Sequence, residues 1–389
     1  MDNLHSSFPY DFPNGEIYPE IMKKFFVHCW RHNVSDVTIQ GGDYIWVELH
    51  GRLVKASNMV IGHSHLSELI TLLWGADIVT IVVSGEEQDR PLSITGEQYG
   101  LERGESIRLR TNFVQGHVGR GLSIQISARI IPSELPTLKK YPIEEEFVRE
   151  LFSADGLNVI AGPTGSGKTT TLTALYMEIG MKMPDRKVIL FEQPVEFILG
   201  GPMWVGLQPC QSEIPRDIAS YAAGIRNALR RAPKVIGIGE ARDKETYLAG
   251  IDAAKSGHLL NFTSHINKTG EIFSRIIQAF PVDQQASVAL DLLSVLRVVI
   301  VQNLFKSTDG KRVMLREGLV FTQEIRNELE DIHYSKWPRW VESHLHNKNA
   351  TIIDKLWVLY KEGTVDKDIF ISKASYHEFA KRSGGINND

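Results

Sequence analysis

Cysteine is nearly absent from this chain. Cys29 and Cys210 are the only two among 389 residues, which excludes a disulfide-stapled scaffold and makes a reducing cytoplasm the expected compartment. Long apolar runs are also missing: no stretch approaches the ~18 residues that a membrane-spanning helix needs. Residues 1–20 are polar, acidic and proline-bearing, unlike a signal or transit peptide. Surplus charge is small. Lys and Arg number 43 against 47 Asp and Glu, a balance of -4, so nothing favours a general polyanion binder. With 42% apolar and 23% charged residues, the composition excludes collagen-like and largely disordered chains. The length suits two or three domains.

The first 19 residues carry Pro9, Pro13 and Pro19 without an apolar period and are expected to form a flexible arm. Residues 20–130 mix short strands and helices, with a helix expected over His65–Trp74. Two segments alternate in period 2. In Ile107–Phe113 the apolar side chains point one way and the arginines the other. In Leu122–Arg129, Leu122, Ile124, Ile126 and Ala128 share a face. These are the marks of a half-buried antiparallel pair. Its polar face would carry Arg108, Arg110 and Arg129, with Arg120 in the glycine-bearing loop between the strands. Ile131–Pro142 is broken by proline and is expected to be a linker. From residue 143 to about 325 strands and helices alternate, the pattern of a parallel α/β sheet. Residues 326–389 read as helical. Trp337, Trp340 and Trp357 there either pack onto the preceding domain or form a docking surface.

The strongest local signal follows the buried run Leu157–Ala161. Gly162-Pro163-Thr164-Gly165-Ser166-Gly167-Lys168-Thr169 fits GxxxxGK[ST], and Leu172, Leu175, Tyr176 and Ile179 then recur at helical spacing. Glycines at this spacing let backbone N–H groups converge on phosphate oxygens at a helix N-terminus. Lys168 would hold the β- and γ-phosphates, and the Thr169 hydroxyl would ligate Mg²⁺.

Three more apolar runs end in polar groups: Val188–Phe191 at Glu192, Val235–Gly239 at Glu240, and Leu259–Thr263 just before His265. If these are parallel strands beside Leu157–Ala161, their carboxyl ends share one rim, where ligands bind in open α/β sheets. Lys168, Glu192, Glu240 and His265 would then converge. Each has two readings. Glu240 is a base or water-orienting carboxylate, or a surface acid at a strand end. Glu192 and Glu196 belong to a metal shell, or are loop acids. His258 and His265 sense the γ-phosphate, or fill the core. Two histidines without further ligands do not make a metal site. Arg226, Arg230 and Arg231 end an expected amphipathic helix, where cations complement the dipole.

Together these residues resemble the secretion ATPases, the hexameric motors of type II and type IV secretion, type IV pili and conjugation, over about residues 20–321. Gly162–Thr170 matches the family's Walker A segment, which adds Thr170 to the nucleotide contacts. Phe191–Phe197 matches its acidic box, Val235–Asp243 its Walker B, and Ser256–His265 its histidine box. Gln193 stands where the acidic box usually has aspartate, which leaves Glu192 and Glu196 as the acids for Mg²⁺. Two cysteines cannot build the four-cysteine zinc module that many pilus-assembly and type II members carry. Asn227–Arg231 and Gly239–Asp243 look most like the type IVB branch, with its Dot/Icm and TraJ-like conjugative ATPases.

The resemblance implies a PAS-like α+β N-terminal domain, a RecA-like P-loop domain and a helical C-terminal region. It implies catalytic roles for Glu240, Glu192, His258 and His265. It also implies that Arg108, Arg110, Arg120 and Arg129 approach bound ATP, some from a neighbouring subunit. The expected protein is a cytoplasmic homohexamer that hydrolyses ATP with Mg²⁺ and docks on inner-membrane secretion or conjugation subunits, without sequence-specific nucleic-acid binding. Two other readings share the core: a DNA-translocating motor or helicase, which needs a basic or aromatic channel, and a nucleotide-gated docking protein with little turnover, suggested by Gln193.

Overall fold

Two β-sheets organise the chain, one in each of two units that divide between Glu134 and Leu135. The computed structural model describes residues 8, 10–49, 52–119, 121–131 and 134–384. Among them, no helix is long and apolar enough to cross a membrane.

The first unit runs α1 (Pro19–Arg31), β1 (Val34–Gln40), β2 (Trp46–Leu49), β3 (Arg52–Lys55), α2 (His63–Trp74), α3 (Ala76–Val83), β4 (Gln88–Thr95), β5 (Ser106–Val118) and β6 (Gly121–Ile131). Its sheet order is β3-β2-β1-β6-β5-β4. The alternating segments pair antiparallel, with Arg110 opposite Arg129 and Phe113 opposite Ile126. Ile107, Leu109, Phe113, Ile126 and Ala128 are fully buried. Leu122 departs from the expected face and is exposed; it lies one residue from the strand's start, where the partner strand ends.

The expected free arm is corrected where it is described. Phe8 and Phe12 are buried in the core of this unit, and the Phe8 N–H donates to the Lys55 carbonyl at 3.0 Å. Tyr10 packs edge-on against Phe25. Pro19 opens α1 and Pro13 a single 3-10 turn, and the aromatic rings before them bury apolar area in the core, which ties the segment down. The expected linker is also shorter than Ile131–Pro142. Pro132 and Ser133 lie outside the described residues, while Leu135 and Leu138 pack against the second unit. The Pro142 carbonyl accepts from the buried Arg316 at 2.9 Å.

The second unit runs α4 (Glu145–Leu151), β7 (Gly156–Ala161), α5 (Lys168–Lys182), β8 (Val188–Glu192), β9 (Cys210–Glu213), α6 (Tyr221–Leu229), β10 (Val235–Ile238), α7 (Lys244–Lys255), β11 (Leu259–Ser264), α8 (Glu271–Ile277), α9 (Val282–Val295), β12 (Leu296–Lys306), β13 (Arg312–Val320) and α10 (Gln323–Glu330). Helices α11 (Trp337–Asn347), α12 (Ile352–Lys361), α13 (Lys367–Lys373) and α14 (Tyr376–Arg382) follow. The sheet order is β13-β12-β7-β11-β10-β8-β9. Strands β12, β7, β11, β10, β8 and β9 are mutually parallel, and β13 returns antiparallel along β12.

Both faces of this sheet are covered, so its central strands are apolar without alternation. Leu157, Val159 and Ala161 of β7 face one core layer, whereas Ile160 faces the other, formed with α4 and α5. The C-terminal helices are not a separate domain. Arg326 of α10 donates to the Leu293 carbonyl at 2.8 Å. Trp337 is buried in the same core, its indole N–H bonded to the Leu329 carbonyl at 2.6 Å. Trp357 stacks among Tyr360, Phe370 and Phe379 in a satellite cluster beside β12 and β13. These tryptophans are therefore packing residues.

Candidate active site

The parallel register puts the C-terminal ends of β7, β8, β10 and β11 along one edge of the second sheet. Gly237 lies beside Leu190 on one side and Asn261 on the other, and Ser264 lies beside Ala161. Each strand therefore delivers its next polar residue to that edge: the glycine loop after β7, Glu192 at the end of β8, Glu240 after β10 and His265 after β11. The chain-distant residues meet because apolar strands of similar length start from a common line.

The glycine loop Gly162–Gly167 turns β7 into α5. Gly162 has φ +143°, and a Cβ on it would come within 2.2 Å of the Gln302 carbonyl oxygen. Gly167, the N-cap of α5, is left-handed at φ +84°. No side chain other than hydrogen fits these positions without strain. Lys168 is almost fully buried, and its ammonium donates to the loop's own carbonyls at Gly162 (2.9 Å) and Pro163 (3.0 Å). Burial lowers its pKa, while Glu240 and Glu196 pull it back up. Both acids are therefore electrostatic neighbours of the lysine. The Ser166 hydroxyl is buried without a hydrogen-bond partner.

Glu192 accepts from the Gln211 amide of β9 at 2.8 Å, and the same amide donates to the Phe197 carbonyl at 2.8 Å. Buried Glu213 accepts from the Val195 N–H at 3.3 Å. Together Gln211 and Glu213 hold the acidic loop 193–197 against the sheet. A cavity of about 30 Å³, room for one water, lies among Thr169, Tyr176, Glu192, Gly239 and Thr263. Burial, then the Glu192 charge, pushes the Tyr176 hydroxyl far above its ordinary pKa, so it stays neutral.

Glu240 is the hub of the rim. One of its oxygens accepts from Arg242 Nη2 at 2.6 Å and lies 3.5 Å from His265 Nε2. The carboxylate is mostly buried, whereas Arg242 is two-thirds exposed. The Arg242 pKa is raised, chiefly by that hydrogen bond.

His258 is corrected. It precedes β11 at the opposite end of the strand, where its carbonyl accepts from the Gly156 N–H at 3.0 Å. The strand's six residues carry the chain roughly 20 Å along the sheet. Its Nδ1 lies 3.2 Å from the Ala253 carbonyl and 3.3 Å from the Ser256 hydroxyl, so it caps the α7–β11 turn.

Arg108, Arg110 and Arg129 stand on the first unit's sheet, and Arg120 lies outside the described residues. The arginine face is not purely basic. Arg110 pairs with Asp89 at 3.4 Å and Arg129 with Asp36 at 2.9 Å. Those acids come from β4 and β1, whose pairing could not be read from the alternating segments alone.

The residues fit a nucleotide and its cation. The loop offers a narrow glycine-walled turn at a helix N-terminus, with an ammonium that has found only carbonyls and an unpartnered hydroxyl. Thr164 and Thr170 flank the same turn. Among the described residues no cluster of three or more His, Cys, Asp or Glu is arranged to hold a metal. Magnesium would therefore rest on Thr169, Glu192 and Glu196 with water and phosphate oxygens, its usual donor set. Sequence reasoning missed Gln302 of β12, which is fully buried. It donates to the Ser166 carbonyl at 2.7 Å and accepts from the Thr171 hydroxyl at 3.0 Å. The polar pair Gln302-Asn303 directly after the apolar run Val298–Val301 was its visible signal.

Comparison with known proteins places these features in context. Residues 98–336 match the T2SSE family model, described as type II/IV secretion system protein. The type IV pilus retraction ATPase PilT of Pseudomonas aeruginosa is 33% identical over 227 residues, 58% of this chain and 63% of PilT, so the match spans less than two thirds of that relative. The X-ray structure of the ATPase DotB of Legionella pneumophila superposes with a TM-score of 0.83 at 30% identity, covering 95% of this chain and 98% of DotB. The crystal structure of the pilus retraction motor PilT with bound ADP superposes with a TM-score of 0.78 at 24% identity, covering 94% of this chain and 100% of that one, a likeness of fold.

Proposed function

The chain belongs to the type II/IV secretion system protein family, whose compared members are named ATPases, and we propose that it hydrolyses ATP as the hexameric motor of a type IVB secretion or conjugative transfer system. The observation that carries the reading is the shared rim of β7, β8, β10 and β11, which gathers Lys168, Glu192, Glu240 and His265. The type IVB assignment is supported by the likeness to DotB over nearly the whole chain. The first unit is read as PAS-like and the second as RecA-like. The motor works in the cytoplasm and docks on inner-membrane subunits of the secretion or conjugation complex.

In this mechanism the segment Gly162–Thr170 wraps the β- and γ-phosphates, with backbone N–H groups from Thr164–Thr170 and the Lys168 ammonium as donors. Thr169, Glu192 and Glu196 would hold Mg²⁺, which would supply charge neutralisation on the phosphate oxygens. Glu240 orients a water and takes its proton as the water oxygen bonds to the γ-phosphorus and the bond to the bridging oxygen breaks. His265, beside Glu240, registers the loss of the γ-phosphate. The family resemblance assigns Arg108, Arg110, Arg120 and Arg129 to bound ATP, some of them at a neighbouring subunit's site; Arg110 and Arg129 would first have to release Asp89 and Asp36.

The test is turnover and nucleotide binding measured side by side on purified protein. Lys168→Ala should lose both, and Glu240→Gln should keep binding while turnover falls by roughly 10²-fold or more. Turnover at the wild-type rate in Lys168→Ala would refute the site. Salt-sensitive stimulation by single-stranded DNA would favour the translocating reading instead.

A further inference from the structure

The loop that carries His265 is held by a buried carboxylate that the proposed chemistry does not use. His265 follows β11, and six residues later, at Glu271, the chain enters α8. Within that stretch Thr269 is almost completely buried. Its N–H and its hydroxyl both donate to Glu317 Oε1, at 3.0 and 3.1 Å. The other Glu317 oxygen accepts from the Ile352 N–H at the start of α12, at 2.9 Å. Glu317 lies on β13 opposite Val301 and is itself buried. One carboxylate thus joins the histidine loop, the last strand of the sheet and the first turn of a C-terminal helix.

A second carboxylate grips the neighbouring residue. Glu342 of α11 accepts from the Gly270 N–H at 3.2 Å. Gly270 sits so close to α11 that a Cβ would come within 2.4 Å of the Pro338 carbonyl oxygen. The charged groups around this grip are Lys268, Glu271 and Lys373, besides the two acids themselves. The Lys373 pKa is lowered by burial and pulled back up by Glu317 and then Glu271, so its charge faces the Glu317 carboxylate.

We propose that Glu317 is a positioning residue for ATP hydrolysis: by tying Thr269 to the N-terminus of α12, it sets the place of His265 against Glu240. The inference rests on the reading of Glu240 and His265 given above. A carboxylate with three donors is the one group here that satisfies all of them at once. Burial and three bonds on fixed elements leave the loop one position. Among the described residues, His265 meets Glu240 at 3.5 Å at the rim, so a small shift of the loop changes that pair without touching the nucleotide loop on β7. The helices α11 and α12 therefore bear on turnover from outside the rim.

The experiment compares wild-type protein with Glu317→Gln, Thr269→Val and Thr269→Ser, reading kcat, KM for ATP and the Kd for ADP. Glutamine turns one acceptor into a donor facing an N–H group, so kcat should fall ~10- to 100-fold while the Kd for ADP stays within about twofold. Thr269→Val should fall in the same direction, and Thr269→Ser, which restores the hydroxyl, should recover most of the rate. Unchanged kcat in both Glu317→Gln and Thr269→Val would overturn the proposal. So would equal losses of kcat and ADP binding, which mark general unfolding. If Glu317→Gln does not fold, the Thr269 pair decides alone. Absence of ATP hydrolysis in the wild type would instead sink the underlying functional reading.

Discussion

Arg242 donates a 2.6 Å hydrogen bond to Glu240, two residues before it in the chain. The arginine is mostly in solvent and the carboxylate mostly out of it. The pair therefore orients Glu240 more than it stabilises the fold. Arg242→Ala should lower kcat about two- to tenfold, the equivalent of one orienting hydrogen bond, and leave the melting temperature nearly unchanged. Steady-state turnover and a thermal melt check this. A large melting shift with unchanged kcat would show that the bond serves the fold instead.

Nucleotide binding should take up a proton in alkaline solution. Burial lowers the Lys168 pKa in the free protein, against the pull of Glu240 and Glu196, and phosphate oxygens in the loop would raise it again. The lysine is charged in both states below the lowered value. Above it the free protein has lost a proton that the complex keeps, so affinity falls as pH rises through that value. Calorimetry of ADP binding at increasing alkaline pH, in two buffers of different ionisation enthalpy at each pH, should reveal the uptake. Lys168→Met should abolish it along with most of the affinity.

Gln302→Leu should damage stability and nucleotide affinity together. Gln302 is fully buried and bonds the Ser166 carbonyl, the Thr171 hydroxyl and, at 3.4 Å, Arg316. Leucine fills the space but leaves the Thr171 hydroxyl and the Ser166 carbonyl without partners. The loss should be about 2–3 kcal/mol in a urea titration, with ADP affinity weakened several-fold because the glycine loop is no longer anchored to β12. Wild-type affinity in a folded Gln302→Leu protein would contradict this.

Acid should loosen the C-terminal helices through Asp354. Burial pushes its pKa up, but hydrogen bonds from Thr351 and Arg382 outweigh burial and hold it below the ordinary carboxylate value. Arg382 of α14 lies 2.7 Å away, and Thr351 closes a capping box with it. A depressed folded-state pKa means stability that is present above the ordinary carboxylate value and lost as pH falls through the lowered one. Asp354→Ala should therefore destabilise these helices by about 2–4 kcal/mol at neutral pH and by less at low pH. Circular dichroism melts at both pH values test the difference.

The rim was legible because its evidence is local. Each strand shows as a short, mainly apolar run, and each active group follows one within a few residues: Glu192 and Glu240 directly or after one glycine, His265 after Ser264, and Lys168 at the end of the glycine loop. The arm was misread because the alternation of Phe8, Tyr10 and Phe12 is only three residues long and lies between prolines at 9 and 13, and only the fold reveals the core they enter. His258 was misassigned because it was grouped with His265 as one histidine box, although a residue that precedes a parallel strand lies at its amino end, away from the rim. Gln211, Gln302 and Glu317 were missed for a common reason. Each acts on a residue far away in the chain, and a polar side chain in a strand carries no mark of its partner.

By itself the order of residues determined which turn can wrap a phosphate, since only glycines reach its backbone angles and only a following helix aims its N–H groups there. It also determined which strands are buried on both faces, since their apolar runs do not alternate. Strand order, and with it which oxygen meets which proton, was decided only by the folded sheet. The contact of Glu240 with His265 and the grip of Glu317 on Thr269 join segments whose separation in the chain is arbitrary, and packing alone brings them within bonding distance.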